Sequence, residues 1–200
     1  MAIADLFQIS VDELLSNEKS EKKQSDYIYE SRTEYDIDGK KNFDIKLGGA
    51  YAVDLKAYHG EKIEVAMFSN VYKNLLADYK VKIDDIKNRI DIDLNRFNEA
   101  SEADAKESLV ITIFIPVKYI GKIELSVNAR TLNITDIENE HIEVNGKISE
   151  VTLQGNKSEI EIDSNLDMQI SVLSHEGAIE INQLSATSRL TIPADYRFRS

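Results

Sequence analysis

The chain has no cysteine and only three histidines among its 200 residues. Without cysteine there is no disulfide framework and no thiolate chemistry. His59, His141 and His175 show no His-x-x-His or His-Glu-x-x-His spacing, so the pattern that marks a zinc site is missing and these read as turn histidines. There is no Walker sequence, no Gly-x-Gly-x-x-Gly and no Gly-x-Ser-x-Gly elbow. Long apolar runs are also missing. The most apolar stretch, Leu109 to Val117, is broken by Thr112 and ends around Pro116, far short of the roughly 20 residues that cross a bilayer. The N-terminus lacks the basic region and apolar core of a signal peptide, which points to a cytoplasmic chain with no membrane contact. Positive charge is scarce too. Lys and Arg number 24 against 36 Asp and Glu, a net charge of −12, and so acidic a surface repels phosphate backbones. Nucleic acid is therefore not an expected partner of this chain alone.

What is present is a repeat. Apolar–x–apolar pairs open at Ile123, Ile142, Ile160 and Ile179, at steps of 19, 18 and 19 residues. A second series opens at Leu132, Val151, Ile170 and Leu190, at steps of 19, 19 and 20. Side chains alternate faces along a strand, so each pair points one way with a polar residue pointing the other. Two interleaved series at one interval predict a coil of two short strands, stacked about four times into a shared core. The expected fold is all-β, a two-strands-per-coil solenoid.

The residues between the pairs then stack on the outer face. The first series places Glu124, Glu143, Glu161 and Glu180 in one row, and the second places Asn133, Thr152, Ser171 and Thr191 in another. An uncharged ladder hydrogen-bonds along a stack, whereas stacked like charges repel. The glutamates are thus the candidate partner-binding face, with Lys122, Lys147, Lys157 or a cationic ligand expected to offset them. Asn145-Gly146 is a hairpin signal that would break the ladder in its middle, and the even spacing argues against it.

Upstream, residues 1–16 read as helix, with Ile3, Leu6, Phe7, Val11, Leu14 and Leu15 on one stripe and a Ser10/Glu13 capping box. Residues 17–26 are a polar linker. From 27 to 107 irregular strands are expected, with turns at Asp38-Gly39, Gly48-Gly49 and His59-Gly60. A short helix is expected at Val71–Ala77, and Asn95–Glu107 reads as a surface loop. The ladder occupies 108–200, with no polar cap visible over its last coil. Asp84, Asp85, Asp91 and Asp93 form one acidic group and Asp136, Glu138, Glu140 and Glu143 another. Both are what a wet strand face or a corner requires, and neither has the spacing of a calcium loop. No metal and no cofactor are expected.

Two resemblances accompany these readings. Ala2-Ile-Ala-Asp-Leu-Phe-x-Ile-Ser-Val-Asp-Glu-Leu-Leu15 resembles the closing helices of a Cro/λ-repressor-type helix-turn-helix domain, with its recognition helix missing, so no DNA-reading residue is carried over. The span from about Tyr35 to Tyr196 resembles a bacterial putative-adhesin domain of unknown function. It does so through Phe43-Asp-Ile-Lys-Leu-Gly-Gly49, Asn88-Arg-Ile-Asp-Ile92, Ile111-Thr-Ile-Phe-Ile-Pro116 and the Ser/Asn/Gly-punctuated ladder. The resemblance implies an all-β, solenoid-like fold. Together the two imply a non-catalytic interaction or sensory domain of a bacterial transcriptional regulator. The alternative is an adhesin-like structural module at the cell surface that binds protein or glycan, and a polysaccharide-active enzyme comes third. A protein partner or self-association is expected in either of the first two cases.

Overall fold

A computed structural model describes residues 27–98 and 100–194. The N-terminal helices and linker read from the sequence, and the terminal Tyr196-Arg-Phe-Arg-Ser200, lie outside the described residues.

Period-two apolar patterning makes strands, and here it makes long ones. Strands β2 (Lys41–Tyr58), β7 (Ile120–Thr135) and β8 (Glu138–Gln154) each run through a whole coil. The next coil is split into β9 (Asn156–Asp163) and β10 (Met168–Val172), and the last into β11 (His175–Glu176), β12 (Ile179–Asn182) and β13 (Ser188–Thr191). Each of these after β2 pairs in parallel with the coil before. One apolar column runs Phe43, Ile123, Ile142, Ile160, Ile179. The other runs Val53, Leu132, Val151, Ile170, Leu190. Ile160 is only 1% exposed. Residues one interval apart do sit directly above one another, and each fully buried aliphatic side chain contributes roughly 1.5–3 kcal/mol. The stack has five coils among the described residues, because β2 belongs to it although the chain wanders from Tyr58 to Tyr119 before resuming.

The turns that hold a coil are built from backbone and amides. Asn145-Gly146 closes no hairpin: it lies within β8, and Lys147 and Ile148 go on to pair with Asn128 and Ala129. Gly146 has φ +143°, and a Cβ there would fall on the carbonyl oxygen of Val127. At the opposite corner Asn156, buried, accepts from the Ile137 N–H (3.0 Å) and donates to the Ile134 carbonyl (2.8 Å). One amide thus satisfies two buried backbone groups of the coil above.

The excursion after β2 builds a head on the first coil. Strand β5 (Arg89–Arg96) lies parallel to the first half of β2, with β4 (Tyr79–Ile86) antiparallel outside it. Strand β6 (Val110–Pro116) lies parallel to the second half, followed outward by β3 (Lys62–Ser69) and β1 (Tyr29–Asp36), both antiparallel. All thirteen strands described thus belong to one sheet that folds around the core as two walls. At the other end no described strand covers β12 or β13, and Leu184 is 91% exposed.

Three local expectations change. The helix expected at Val71–Ala77 is one turn, α1 (Leu75–Asp78), and its N-cap Asn74 makes no side-chain capping bond. The stretch expected to be loop holds α2 (Glu102–Ser108), which lacks an apolar stripe because only Ala105 is buried in it. Ser101 caps it, accepting from the Asp104 N–H at 3.1 Å. Gly48-Gly49 is not a turn but a bulge inside β2, with Gly48 at φ +68°. A Cβ on Gly49 would lie 2.8 Å from the Glu102 carbonyl oxygen, so the glycine lets α2 close on the strand.

Candidate functional site

The outward residue of each apolar–x–apolar triplet stacks with the next, since the pleat repeats in register from strand to strand. On the first wall this puts Glu124, Glu143, Glu161 and Glu180 in one row, as the intervals require. The row is longer than the repeat announces. Asp44 pairs with Glu124, Asp91 with Asp44, and Asp84 with Asp91, so seven carboxylates cross the wall from β4 to β12. Phe43-Asp44-Ile45 and Ile90-Asp91-Ile92 carry the same apolar–acid–apolar signature as Ile123-Glu124-Leu125. Distance along the chain hides them, not chemistry.

The two ends of the row differ in their counter-charges. In the head, Lys46 meets Asp44 at 2.8 Å, Arg89 meets Asp91 at 2.6 Å, and Lys82 pairs with Asp84. These contacts raise the pKa values of all three bases, chiefly through the hydrogen bond to the carboxylate. In the ladder no Lys or Arg of the described residues stands within ion-pair distance of the four glutamates. Glu143 accepts from Asn145 (2.7 Å) and Glu161 from Asn182 (2.8 Å), with His141 Nε2 at 3.8 Å from Glu161. Amides, not the expected lysines, support them. Lys122 is drawn to Glu140 (3.3 Å) and Lys157 to Glu138 (3.5 Å), while Lys147 makes no ion pair among the described residues.

Adjacent strands lie about 4.8 Å apart. Neighbouring unit charges at that spacing repel by about 1 kcal/mol in a water-like dielectric, reduced by salt. The lower row therefore carries a modest, unrelieved repulsion that a cationic surface would relieve.

The remaining candidates separate in space. Asp85 pairs with Lys41 (2.8 Å), and Asp93 lies one row over, between Lys82 and Lys46. Glu138 and Glu140 are held by their lysines, away from Glu143. Among the described residues no three His, Asp or Glu side chains converge as a metal centre would need. The second wall is neutral along its row of Asn133, Thr152, Ser171 and Thr191, headed by Asp54, which accepts from Asn133 at 2.7 Å. No helix among the described residues is long and apolar enough to cross a membrane.

No family model matches the chain, and no curated protein is similar to it. Solved structures are. A putative cell adhesion protein from Clostridium sporogenes matches 82% of this chain and 100% of its own at a TM-score of 0.52 and 7% identity. A putative adhesin from Bacteroides fragilis is 13% identical, covering 82% of this chain and 96% of its own at a TM-score of 0.30. A putative lipid binding protein from Parabacteroides distasonis is 12% identical, at 82% and 95% coverage and a TM-score of 0.25. The chain is thus an all-β domain that shares its fold with the Clostridium sporogenes protein over that protein's whole length.

Proposed function

We propose that this chain is a non-catalytic, adhesin-like interaction module, and that the lower acidic row is the face it presents to a basic protein partner. The observation that carries this reading is the contrast within one row: three head carboxylates each pair with a Lys or Arg, and the four ladder glutamates have no Lys or Arg partner among the described residues. A partner that supplies lysines or arginines at strand spacing relieves the repulsion and gains steering from the net charge of −12. The fold shared with a putative cell adhesion protein supports an adhesive role and a cell-surface setting. The regulator reading rests on residues 2–15, outside the described part, and none of the similar structures supports it. Catalysis on a polysaccharide calls for carboxylates facing one another across a cleft. Here they are strung one strand apart along an open face.

Immobilised polylysine is a direct probe. The chain should bind it with an affinity that falls steeply as salt rises. The double variant Glu143→Lys/Glu161→Lys should keep its circular dichroism spectrum and lose at least about tenfold in affinity. A folded double variant that binds polylysine as well as the parent chain would remove the acidic row from the interaction.

A further inference from the structure

The corner where the acidic wall passes into the neutral wall holds a shallow, open cleft of about 650 Å³. It is lined by successive coils, from Asn128 on β7 to the loop between β12 and β13. Its charges cancel: Lys147 and Asp163 are the charged residues lining it, and neither has an ion-pair partner among the described residues. Its lining includes Ser164, only 5% exposed, whose hydroxyl has no hydrogen-bond partner among the described residues. An unmet buried hydroxyl costs on the order of 1–3 kcal/mol.

The lining is held in place before any ligand arrives. The Leu184 N–H donates to Asn165 Oδ1 (2.8 Å), and Gln183 donates to the Leu166 carbonyl (2.9 Å) while accepting from the Ser188 hydroxyl (2.8 Å). Lys147 N–H donates to Asn128 Oδ1 at 3.1 Å. These bonds leave the Lys147 ammonium and the Asn165 amide N–H groups as donors, and the Asp163 carboxylate and Asn182 Oδ1 as acceptors. Beside them Leu184 stands 91% exposed, with Ile181 also lining the cleft.

Donors and acceptors in near-equal number, no net charge and an exposed aliphatic ledge define the complementary ligand. A phosphate wants donors only, and Asp163 repels it. A cation wants acceptors only, and Lys147 repels it. A sugar hydroxyl donates and accepts at once, and a pyranose ring offers a C–H face to an aliphatic side chain. We propose that this corner cleft binds a neutral oligosaccharide, with Asp163 and Lys147 gripping ring hydroxyls and Leu184 packing on the ring. The proposal extends the interaction-module reading to a second surface and does not depend on the acidic row.

Saturation-transfer NMR on the full chain tests it with a panel of glucan, mannan, galactan, xylan and N-acetylhexosamine oligomers at millimolar concentration. At least one should receive magnetisation, and Asp163→Ala and Leu184→Ser should each weaken it by more than about tenfold. Both side chains reach the surface, so both variants should keep the parent's circular dichroism spectrum, and both should still bind polylysine. Conversely, Glu124→Lys, on the acidic row but outside the cleft lining, should leave sugar binding unchanged. Silence from the whole panel, or parent-like sugar binding by Asp163→Ala, overturns the proposal.

Discussion

Gly146 shows how much one position can decide. Its φ of +143° is strained for any L side chain, and a Cβ would strike the Val127 carbonyl of the coil above. Gly146→Ala should lose about 2 kcal/mol or more in urea unfolding, because relief requires two strands to part. Ile160→Asp should abolish cooperative unfolding altogether, since it strands a charge in the shared column. These two positions also mark what the sequence makes legible. The Ile160 column follows from the interval alone. Asn145-Gly146, read locally, signals a hairpin, and only the register of a neighbouring coil shows why glycine is needed. His175 is a third case. Neither ring nitrogen makes a hydrogen bond of normal geometry, and burial outweighs the nearby Ala178 backbone and Glu176 charge to push its pKa down. The unfolded imidazole titrates near 6.5, so the unfolded state binds more protons just below that pH. Stability should be complete above pH about 6.5 and decline as pH falls toward the lower folded value. His175→Gln should flatten that slope in pH-dependent thermal melts, leaving a separate acid limb below about pH 4.5, where Glu102 loses its bonds to Lys106 and Asn128.

Elements were legible in proportion to how regularly they repeat. Strands β7 to β13 share one interval, so their order, direction and inward faces followed from counting. Strand β2 has the same alternation and the same coil, yet the chain between Tyr58 and Tyr119 interrupts the count and conceals its place. The short helix α2 shows the opposite difficulty. With a single buried alanine it has no stripe to betray it, and its existence rests on local chemistry. That chemistry comprises the Ser101 cap and the Lys106–Glu102 pair at 3.2 Å, one turn apart. Ser101→Ala should therefore cost about 1 kcal/mol in chemical denaturation. Because Glu102 also bonds Asn128 (3.0 Å), the loss should be felt in β7 as faster amide exchange there.

At the scale of the molecule the two walls differ in one row of charge. The first gathers a row of carboxylates, while the matching row of the second carries hydroxyls and amides below a single aspartate. Half of that asymmetry was readable, since the ladder glutamates share the interval of the isoleucines beside them. The head aspartates were not, because β4 and β5 reach the wall by a route that no interval encodes. Relieving the repulsion should help folding even where it harms binding. Glu143→Lys/Glu161→Lys should melt no lower than the parent at low salt, with any gain shrinking at 1 M salt, where charges are screened beyond about 3 Å.

Each coil from β7 onward touches only the coils directly before and after it along both columns. Length is therefore a free variable of this architecture. A duplication of one period between Gln154 and Asn156 would add a rung about 4.8 Å tall. It would displace the later coils without scrambling them. A gene slipping by that unit gains one more anionic tooth on the comb, so lineages can lengthen or shorten their reach in fixed increments while the interior stays the same.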